Sequence, residues 1–413
     1  MAVLLSNVSN VLQKIIMPYV QDNFDKKTIL LDQLKRNQGV TFMNDTFYAP
    51  IRSSRNGGVV NLANDGSSLV AGASNVLQAS TNVKIVTGSF QISKLVLDAT
   101  STTKGAVKNE LIRQAENLAS DFAKSVNRQY YSDGVGVIGQ VGGSVGSGTI
   151  GLTYPDANLD DGRSVDWYGS VNGDIAPNKY ITAGQVLAIG TAGADLGTVT
   201  SVSGTTVVVT GDPAIVANDS IYLADGSGAG AGTSEIQGIR LALQATTSGS
   251  YAGVARTTPG WTAQTGTVAE ALTLSRMESV YLAAKEYADS SDRYAIFVNK
   301  TLYRKYGDIL TSMRRTVNES ELLGGWSGLE FAAGAGRVGV FLDYDVPDGE
   351  VEIINLDSWI VCQVRDMSWM ENPDGGSLIR SRGNLLYEAA MAWFTNLLCL
   401  APGANGRLTQ KTA

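Results

Sequence analysis

The chain has 413 residues, which is long for one hydrophobic core and predicts several packed units. Charged residues make up 17% of it, below the roughly 25% of ordinary soluble domains, and the formal net charge is -7 with no histidine. The acidic balance argues against sequence-specific nucleic-acid binding, and the missing imidazole removes the usual general base and the commonest metal ligand. The two cysteines, Cys362 and Cys399, predict neither a disulfide framework nor a zinc site.

Neither the first residues nor the most apolar segment predicts a membrane or export function. The start, MAVLLSNVSNVLQKIIMPYVQDNF, has no basic leader before a long apolar run, so we interpret it as an amphipathic arm instead of a signal peptide. The segment 385–400 carries Glu388, Thr395 and Asn396, and it is too short and too polar to span a bilayer. Its pattern leaves open whether it is a strand or a helix.

Residues 39–103 predict a long two-stranded excursion, out along GVTFMNDTFYAPI and back along NVKIVTGSFQISKLVLDA. Four apolar residues of the return strand share one face at period two: Val86, Phe90, Ile92 and Val96. An isolated ribbon is only marginally stable in water, and no nearby segment is an obvious cover for that face. We therefore expect the ribbon to pack on a neighbouring subunit.

The clearest helix of the sequence covers residues 104–131. Its apolar residues recur at spacings of three or four, which predicts one buried stripe and one solvated face. We take three members of that stripe as candidate structural residues, because their packing would support the helix: Leu111, Leu118 and Phe122.

A glycine-rich connection at 134–169 precedes a predicted β module at 170–235. Within the module, GTVTSVSGTTVVVTG (197–211) predicts a hairpin that turns at Ser203-Gly204. Two flanking segments add short strands, and four such strands are typical of a small barrel or sandwich. The stretch 197–211 holds no acid, base, thiol or imidazole, so it carries no chemistry.

The segment that follows predicts an α+β unit. A helix is expected at 268–289, with Thr267 and Glu270 as a possible capping box. After it we expect the strand YAIFVNK, the helix TLYRKYGDIL and the strands GVFLDYDV and VEIINL. Helices and strands thus alternate in this unit.

Four motif-like stretches fail as functional sites. GGSVG (142–146) lacks the strand-turn-helix setting of a nucleophile elbow, and GVGVIG (134–139) follows a predicted helix instead of a strand. GSGAGAG (226–232) lacks the lysine of a phosphate-binding loop, and DYDVPDGE (343–350) has the acid spacing of a turn instead of an EF-hand. We assign no catalytic residue, no cofactor and no metal site.

The order of these elements resembles the major capsid protein of tailed double-stranded-DNA bacteriophages. The resemblance implies an α+β phage major capsid protein fold with an inserted small all-β module. It divides the chain into the N-terminal arm (1–38), the extended β-ribbon loop (39–103), the spine helix of the peripheral domain (104–133), the glycine-rich connection (134–169), the inserted module (170–235), the axial domain (236–355) and the peripheral return segment (356–413).

The resemblance further implies a non-enzymatic subunit that self-assembles, as hexameric and pentameric capsomers, into an icosahedral shell around packaged DNA. Such a subunit assembles in the host bacterial cytoplasm and ends in the virion capsid. Its implied partners are further copies of itself, a separate scaffolding protein, a portal protein and, as an option, a decoration protein. No motif singles out Lys84 or Lys94 as a crosslinking residue.

Two other classes of protein remain as alternatives. One is another self-assembling virion or surface-layer protein of the tail or adhesin type, which the helix at 104–131 argues against. The other is an enzyme that uses two carboxylates, such as a glycosidase.

Overall fold

The computed structural model describes residues 29–36, 39–61, 71–94, 106–146, 148–153, 172–174, 176–190, 195–211, 215–224, 235–244, 246–312, 319–322, 326–333, 336–371, 379–380 and 386–413. Three sequence predictions fall outside them: most of the N-terminal arm, the position of Val96 and the linker at 226–232.

The helices lie between runs of β-strands along the described residues, an order that belongs to an α+β fold. The helices are α1 Ile29–Gln33, α2 Ala106–Tyr130, α3 Ile239–Ala242, α4 Leu274–Lys285 and α5 Lys300–Ser312, with 3-10 turns at Leu356–Ser358 and Pro402–Ala404. The strands are β1 Lys35–Arg36, β2 Thr41–Met43, β3 Thr46–Arg52, β4 Val76–Asn82, β5 Lys84–Ser93, β6 Val137–Gly146, β7 Thr149–Thr153, β8 Val186–Ile189, β9 Asp195–Ser203, β10 Thr206–Thr210, β11 Ser220–Leu223, β12 Ser250–Tyr251, β13 Val254–Ala255, β14 Gln264–Gly266, β15 Glu270–Ala271, β16 Tyr294–Val298, β17 Glu319–Leu322, β18 Trp326–Ala333, β19 Gly336–Leu342, β20 Val351–Asn355, β21 Trp359–Gln363, β22 Ser368–Trp369, β23 Ile379–Arg380, β24 Leu386–Cys399, β25 Gly406–Leu408 and β26 Lys411–Thr412.

The long strand β24 is the centre of a six-stranded sheet, so the segment 385–400 is a strand. The strands β21, β22 and β23 pair along one edge of β24, and β5 pairs with the other edge from Leu386 to Thr395. The end of β24 is buried on both faces, which makes it nearly continuously apolar. A continuous apolar run has no hydrophobic periodicity, so the sequence pattern alone cannot distinguish a buried strand from a buried helix.

The pairing of the extended loop differs from the sequence prediction. The outgoing strand β3 pairs with β4 (Thr46 opposite Asn82), while the return strand β5 belongs to the six-stranded sheet. Val86 and Ile92 are buried in the main core, so the expectation that the face of this strand lacks cover within its own chain is wrong. Periodicity predicted the buried face, but α2 covers that face, and β24, a strand near the far end of the sequence, pairs with the edge of β5.

A seven-stranded sheet forms the second layer, in the order β14-β25-β20-β16-β19-β18-β17. Its central strand β16 is buried on both faces. Ile296 and Val298 pack with α4 and α5 in one core, while Ala295 and Phe297 point the other way into the main core. The C-terminal segment connects the two sheets: β21 and β24 lie in the first, but β25 pairs with β14 and β20 in the second.

Helix α4 begins later than expected, at Leu274. The side chain of Thr273 caps it by accepting a hydrogen bond from the Arg276 backbone nitrogen at 3.4 Å. The predicted capping box of Thr267 and Glu270 is wrong, because Glu270 belongs to the short strand β15, which pairs with β26.

The inserted module is a closed six-stranded barrel in the order β10-β7-β6-β11-β8-β9. The predicted hairpin is present: β9 pairs with β10, and Gly204 takes a positive φ of 56° in the turn. Two of the six strands, β6 and β7, come from the range predicted as a connection. Their pairing shifts register between Val141 and Gly143 and between Ser144 and Gly146, so the glycines mark bulges within a strand.

Candidate assembly surface and the contacts that support it

The extended loop combines a packed base with an exposed end. Phe47 and Ala49 of β3 are buried in the main core, whereas all three residues of β2 are exposed. Met43 is 58% exposed, and Val59 near the tip is 87% exposed. Exposed apolar side chains on a loop whose base is packed into the core are typical of a surface that another protein covers.

Helix α2 lies directly over the return strand β5. Phe122 is 4% exposed, and Leu118 is partly buried against the same core. A Cβ placed on Gly88 would lie 2.8 Å from Leu118 Cδ1 and 3.5 Å from Phe122 Cδ2. Two of the three candidate structural residues therefore meet at one glycine, and Leu111 belongs to the same helix with its side chain outside the described residues. A glycine within a strand often marks a place where another part of the chain approaches the backbone closely, so Gly88 is the sequence feature that indicates this contact with α2.

A short segment before β8 ties the barrel to the second layer. We call residues 172–174 and 176–181 the strap. Asn172 donates its backbone nitrogen and its Nδ2 to Asp348. Asp174 accepts a hydrogen bond from the Thr301 backbone nitrogen at 3.1 Å, in the first turn of α5, where a negative charge is favourable.

Two carboxylates in the turn after β19, Asp343 and Asp345, bind the end of α2, and Asp345 also binds the strap. Asp343 is buried and accepts hydrogen bonds from Asn127 Nδ2 and Tyr131 Oη, each at 3.1 Å. Asp345 accepts from Asn127 Nδ2 at 2.8 Å and from Lys179 Nζ at 2.8 Å. Burial raises the pKa of Asp343 to about 6, the neighbouring charge of Asp345 adds to the shift, and the hydrogen bonds oppose it. Helix, strap and sheet are thus joined through one acidic turn.

Four buried charged residues form an ionic cluster: Arg240 of α3, Glu352 of β20, Arg407 of β25 and Glu350, which directly precedes β20. Arg407 Nε is 3.1 Å from Glu350 Oε2 and 3.3 Å from Glu352 Oε1, and Arg240 Nη2 is 3.7 Å from Glu350 Oε1. Burial raises the pKa of Glu352, against the opposing charge of Arg407. The cluster is enclosed, so its charges stabilise each other and face no solvent.

The motif-like stretches have structural roles. GGSVG lies in β6, where Ser144 pairs with Ile150, and Gly349 closes the predicted turn of DYDVPDGE with a φ of 69°. The acids of that turn accept internal hydrogen bonds, and among the described residues no group of three or more candidate ligands could hold a metal ion. Burial raises the pKa of the Cys362 and Cys399 thiols to about 12, which keeps both unreactive. Within the described part of the chain, none of the helices has the length and apolar character needed to cross a bilayer.

Comparison with known proteins shows similarity at the level of the fold. No family model matches the sequence, and no curated protein matches it. A chain of the cyanophage A-1(L) capsid asymmetric unit superposes with a TM-score of 0.53 at 14% identity, over 94% of this chain and 94% of that one. The holo-SrpI encapsulin complex from Synechococcus elongatus gives 0.47 at 8% identity, over 96% and 89%. The capsid of a native GTA particle gives 0.44 at 9%, over 93% and 91%.

The cyanophage match covers almost the full length of both chains, so the two share one overall fold. The chain therefore has the α+β fold of a phage capsid chain, and the predicted fold class is confirmed.

Proposed function

We propose that the chain is a structural subunit that self-assembles into the icosahedral shell of a tailed bacteriophage and encloses its packaged double-stranded DNA. The observation that carries this proposal is the fold shared with the cyanophage capsid chain over 94% of both chains. The exposed apolar side chains of the extended loop support it, because a shell subunit needs surfaces that only its neighbours cover.

Within this proposal the parts of the fold take the expected roles. The extended loop reaches a neighbouring subunit, α2 is the spine helix over the peripheral sheet, and the seven-stranded layer is the axial domain. The insertion is the barrel built from residues 137–223, which extends the predicted module of 170–235 toward the N-terminus.

The proposed partners are further copies of the chain, in hexameric and pentameric capsomers, together with a scaffolding protein, a portal protein and optionally a decoration protein. The proposed location is the virion capsid after assembly in the host bacterial cytoplasm. The acidic net charge of -7 suits a shell that encloses DNA without binding it tightly. The subunit is proposed to catalyse no reaction.

The two alternatives have less support. A tail or adhesin subunit would have a helix content near zero, whereas α2 alone has 25 residues. A carboxylate enzyme would need two acids that reach a substrate, whereas Glu350 and Glu352 are enclosed with Arg407 and Asp343 is buried.

Electron microscopy of the chain, expressed alone and with a scaffolding protein from the same genome, tests the proposal. We expect closed shells of uniform size in the co-expressed sample. Tubes in place of shells would favour the tail alternative, and monodisperse soluble particles in both samples would overturn the proposal.

A further inference from the structure

The sequence contains three Asn-Gly pairs, Asn56-Gly57, Asn172-Gly173 and Asn405-Gly406. In such a pair the glycine nitrogen can attack the asparagine side chain, because glycine has no Cβ to obstruct the approach and its backbone adapts readily. The attack requires that the side chain can fold back over the following peptide. The structure separates the three pairs by this requirement.

Asn405 and Asn172 are held away from that geometry. Asn405 is fully buried, donates Nδ2 to Ser358 Oγ at 2.9 Å and accepts a hydrogen bond from the Asn355 backbone nitrogen at 2.8 Å. Asn172 donates Nδ2 to Asp348 Oδ1 at 3.1 Å and to the Lys411 carbonyl at 3.0 Å. Either side chain would have to break these bonds before its carboxamide could reach the next peptide, which makes both pairs slow to react.

Asn56 lies in the exposed end of the extended loop with its side chain already folded forward. Its Oδ1 accepts a hydrogen bond from the Gly58 backbone nitrogen at 2.8 Å, which holds the carboxamide over the Gly57 peptide. Asn56 and Gly57 are both exposed, and a Cβ on Gly57 would find nothing within 4 Å. In the part of the chain that the structure describes, no hydrogen bond retains Asn56 Nδ2. The bond from Gly58 would also stabilise charge that develops on Oδ1.

We propose that Asn56 is a self-modification site that converts to aspartate and isoaspartate without an enzyme. The Gly57 nitrogen forms a bond to Cγ of Asn56, the bond from Cγ to Nδ2 breaks, and ammonia leaves with the proton that the Gly57 nitrogen loses. The product is a five-membered succinimide. Water then adds to one of its two carbonyl carbons and opens the ring, which gives aspartate or, when the main chain passes through Cγ, isoaspartate.

The product changes the shape of the loop at a crowded point. A Cβ on Gly72 would overlap the Gly58 nitrogen and Asn56 Oδ1, so the two arms of the loop are in direct contact here. Isoaspartate adds one carbon to the main chain and places a new carboxylate at this contact. This consequence rests on the proposed function: a free subunit loses its assembly surface with age, whereas a loop covered by a neighbour is protected.

Peptide mapping by mass spectrometry tests the site on the purified full-length chain after incubation at mildly alkaline pH. We expect the mass gain of an amide replaced by an acid at Asn56, with both aspartate and isoaspartate forms, before any at Asn172 or Asn405. Gly57→Ala fits without contact and should slow the conversion by at least about tenfold, or about 1.4 kcal/mol in activation free energy. Conversion at Asn172 as fast as at Asn56, or an unchanged rate in Gly57→Ala, would overturn the proposal.

Assembly assays separate this proposal from the proposed function. Fresh and aged wild-type chain are compared with aged Gly57→Ala, each mixed with the scaffolding protein. Loss of shells only in the aged wild type supports the ageing role, and equal assembly of all three samples contradicts it. Failure of even the fresh chain to assemble would count against the proposed function and leave the chemical site to be judged by the mass measurement.

Discussion

Lys179 of the strap and Asp345 of the acidic turn form an ion pair with 2.8 Å between Nζ and Oδ1. The same carboxylate accepts a hydrogen bond from Asn127 at the end of α2, so the barrel, the helix and the second layer share one residue. The barrel is therefore fastened to the rest of the chain by side-chain contacts of the strap as well as by the main-chain connections at its two ends.

Removal of that shared carboxylate should destabilise the folded chain. We expect Asp345→Ala to lower the free energy of unfolding by about 1–3 kcal/mol, because the buried amide of Asn127 loses a partner. Denaturant unfolding measures the loss, and limited proteolysis should show faster cleavage in the strap. The control Glu286→Ala removes an exposed carboxylate and should change stability by less than about 0.5 kcal/mol. Equal stability of the two variants would show that the contacts of Asp345 with the strap and with α2 do not stabilise the fold.

The free energy of unfolding should depend on pH through the titration of the Asp343 carboxyl group. Its pKa of about 6 in the folded chain exceeds the value of roughly 3.9 for an unfolded aspartate, so the folded state binds a proton more tightly. The contribution of Asp343 to stability is therefore present below about pH 4 and lost as the pH rises through 6.

Asp343→Asn keeps the shape of the side chain and removes its titration. The difference in unfolding free energy between wild type and Asp343→Asn should shift in favour of the wild type by roughly 2 kcal/mol between pH 7 and pH 4. Denaturant titrations at both pH values provide the measurement. A difference that stays constant with pH would contradict the raised pKa.

The contact of α2 with β5 predicts a measurable coupling. Phe122→Ala should cost about 3–5 kcal/mol through the cavity that it leaves. Gly88→Ala should cost about 1–3 kcal/mol, because its new Cβ would lie 2.8 Å from Leu118 Cδ1. Leu118→Ala removes the side chain that the new Cβ would strain against. The losses of unfolding free energy from Gly88→Ala and Leu118→Ala should therefore be clearly non-additive in thermal or denaturant unfolding. Additive losses would place Leu118 away from Gly88.

Under the proposed function, substitutions at the exposed end of the loop should impair assembly without impairing folding. Val59→Ser alters a side chain that is 87% exposed, so the subunit should keep its melting temperature, yet shells should form poorly with the scaffold. The matched control is Val216→Ser, at an exposed valine in the barrel loops. Electron microscopy and light scattering record both variants. Normal shells from Val59→Ser would remove this residue from the assembly surface.

Local pattern predicted the elements whose information lies in consecutive residues. The helix expected at 104–131 is α2, and the hairpin around Gly204 is present. The partner of β5 and the strands at 137–153 were missed, because strand pairing over long sequence separation leaves no periodic trace and bulged glycine-rich strands lack the β-branched composition of regular ones. The junction at Asp343 and Asp345 was missed for the same reason, since its partners lie far apart in the sequence.

The barrel should fold alone only when all six strands are present. Its interior has a hydrophobic core of its own, with residues from every strand: Ile138, Val141, Ile150, Leu152, Leu187, Ile189, Val199, Val207, Val209 and Ile221. A fragment of residues 134–224 closes the sheet and leaves no strand edge open.

The two fragments 134–224 and 170–235 give a matched comparison. The first should show the dispersed amide spectrum of a folded β protein and a cooperative thermal transition. The second lacks β6 and β7, so β10 and β11 each lose a partner strand, and its interior residues lose part of their cover. It should therefore be unfolded or aggregated. A disordered 134–224 fragment would mean that the strap and the layers around it, instead of the barrel's own core, keep these strands together.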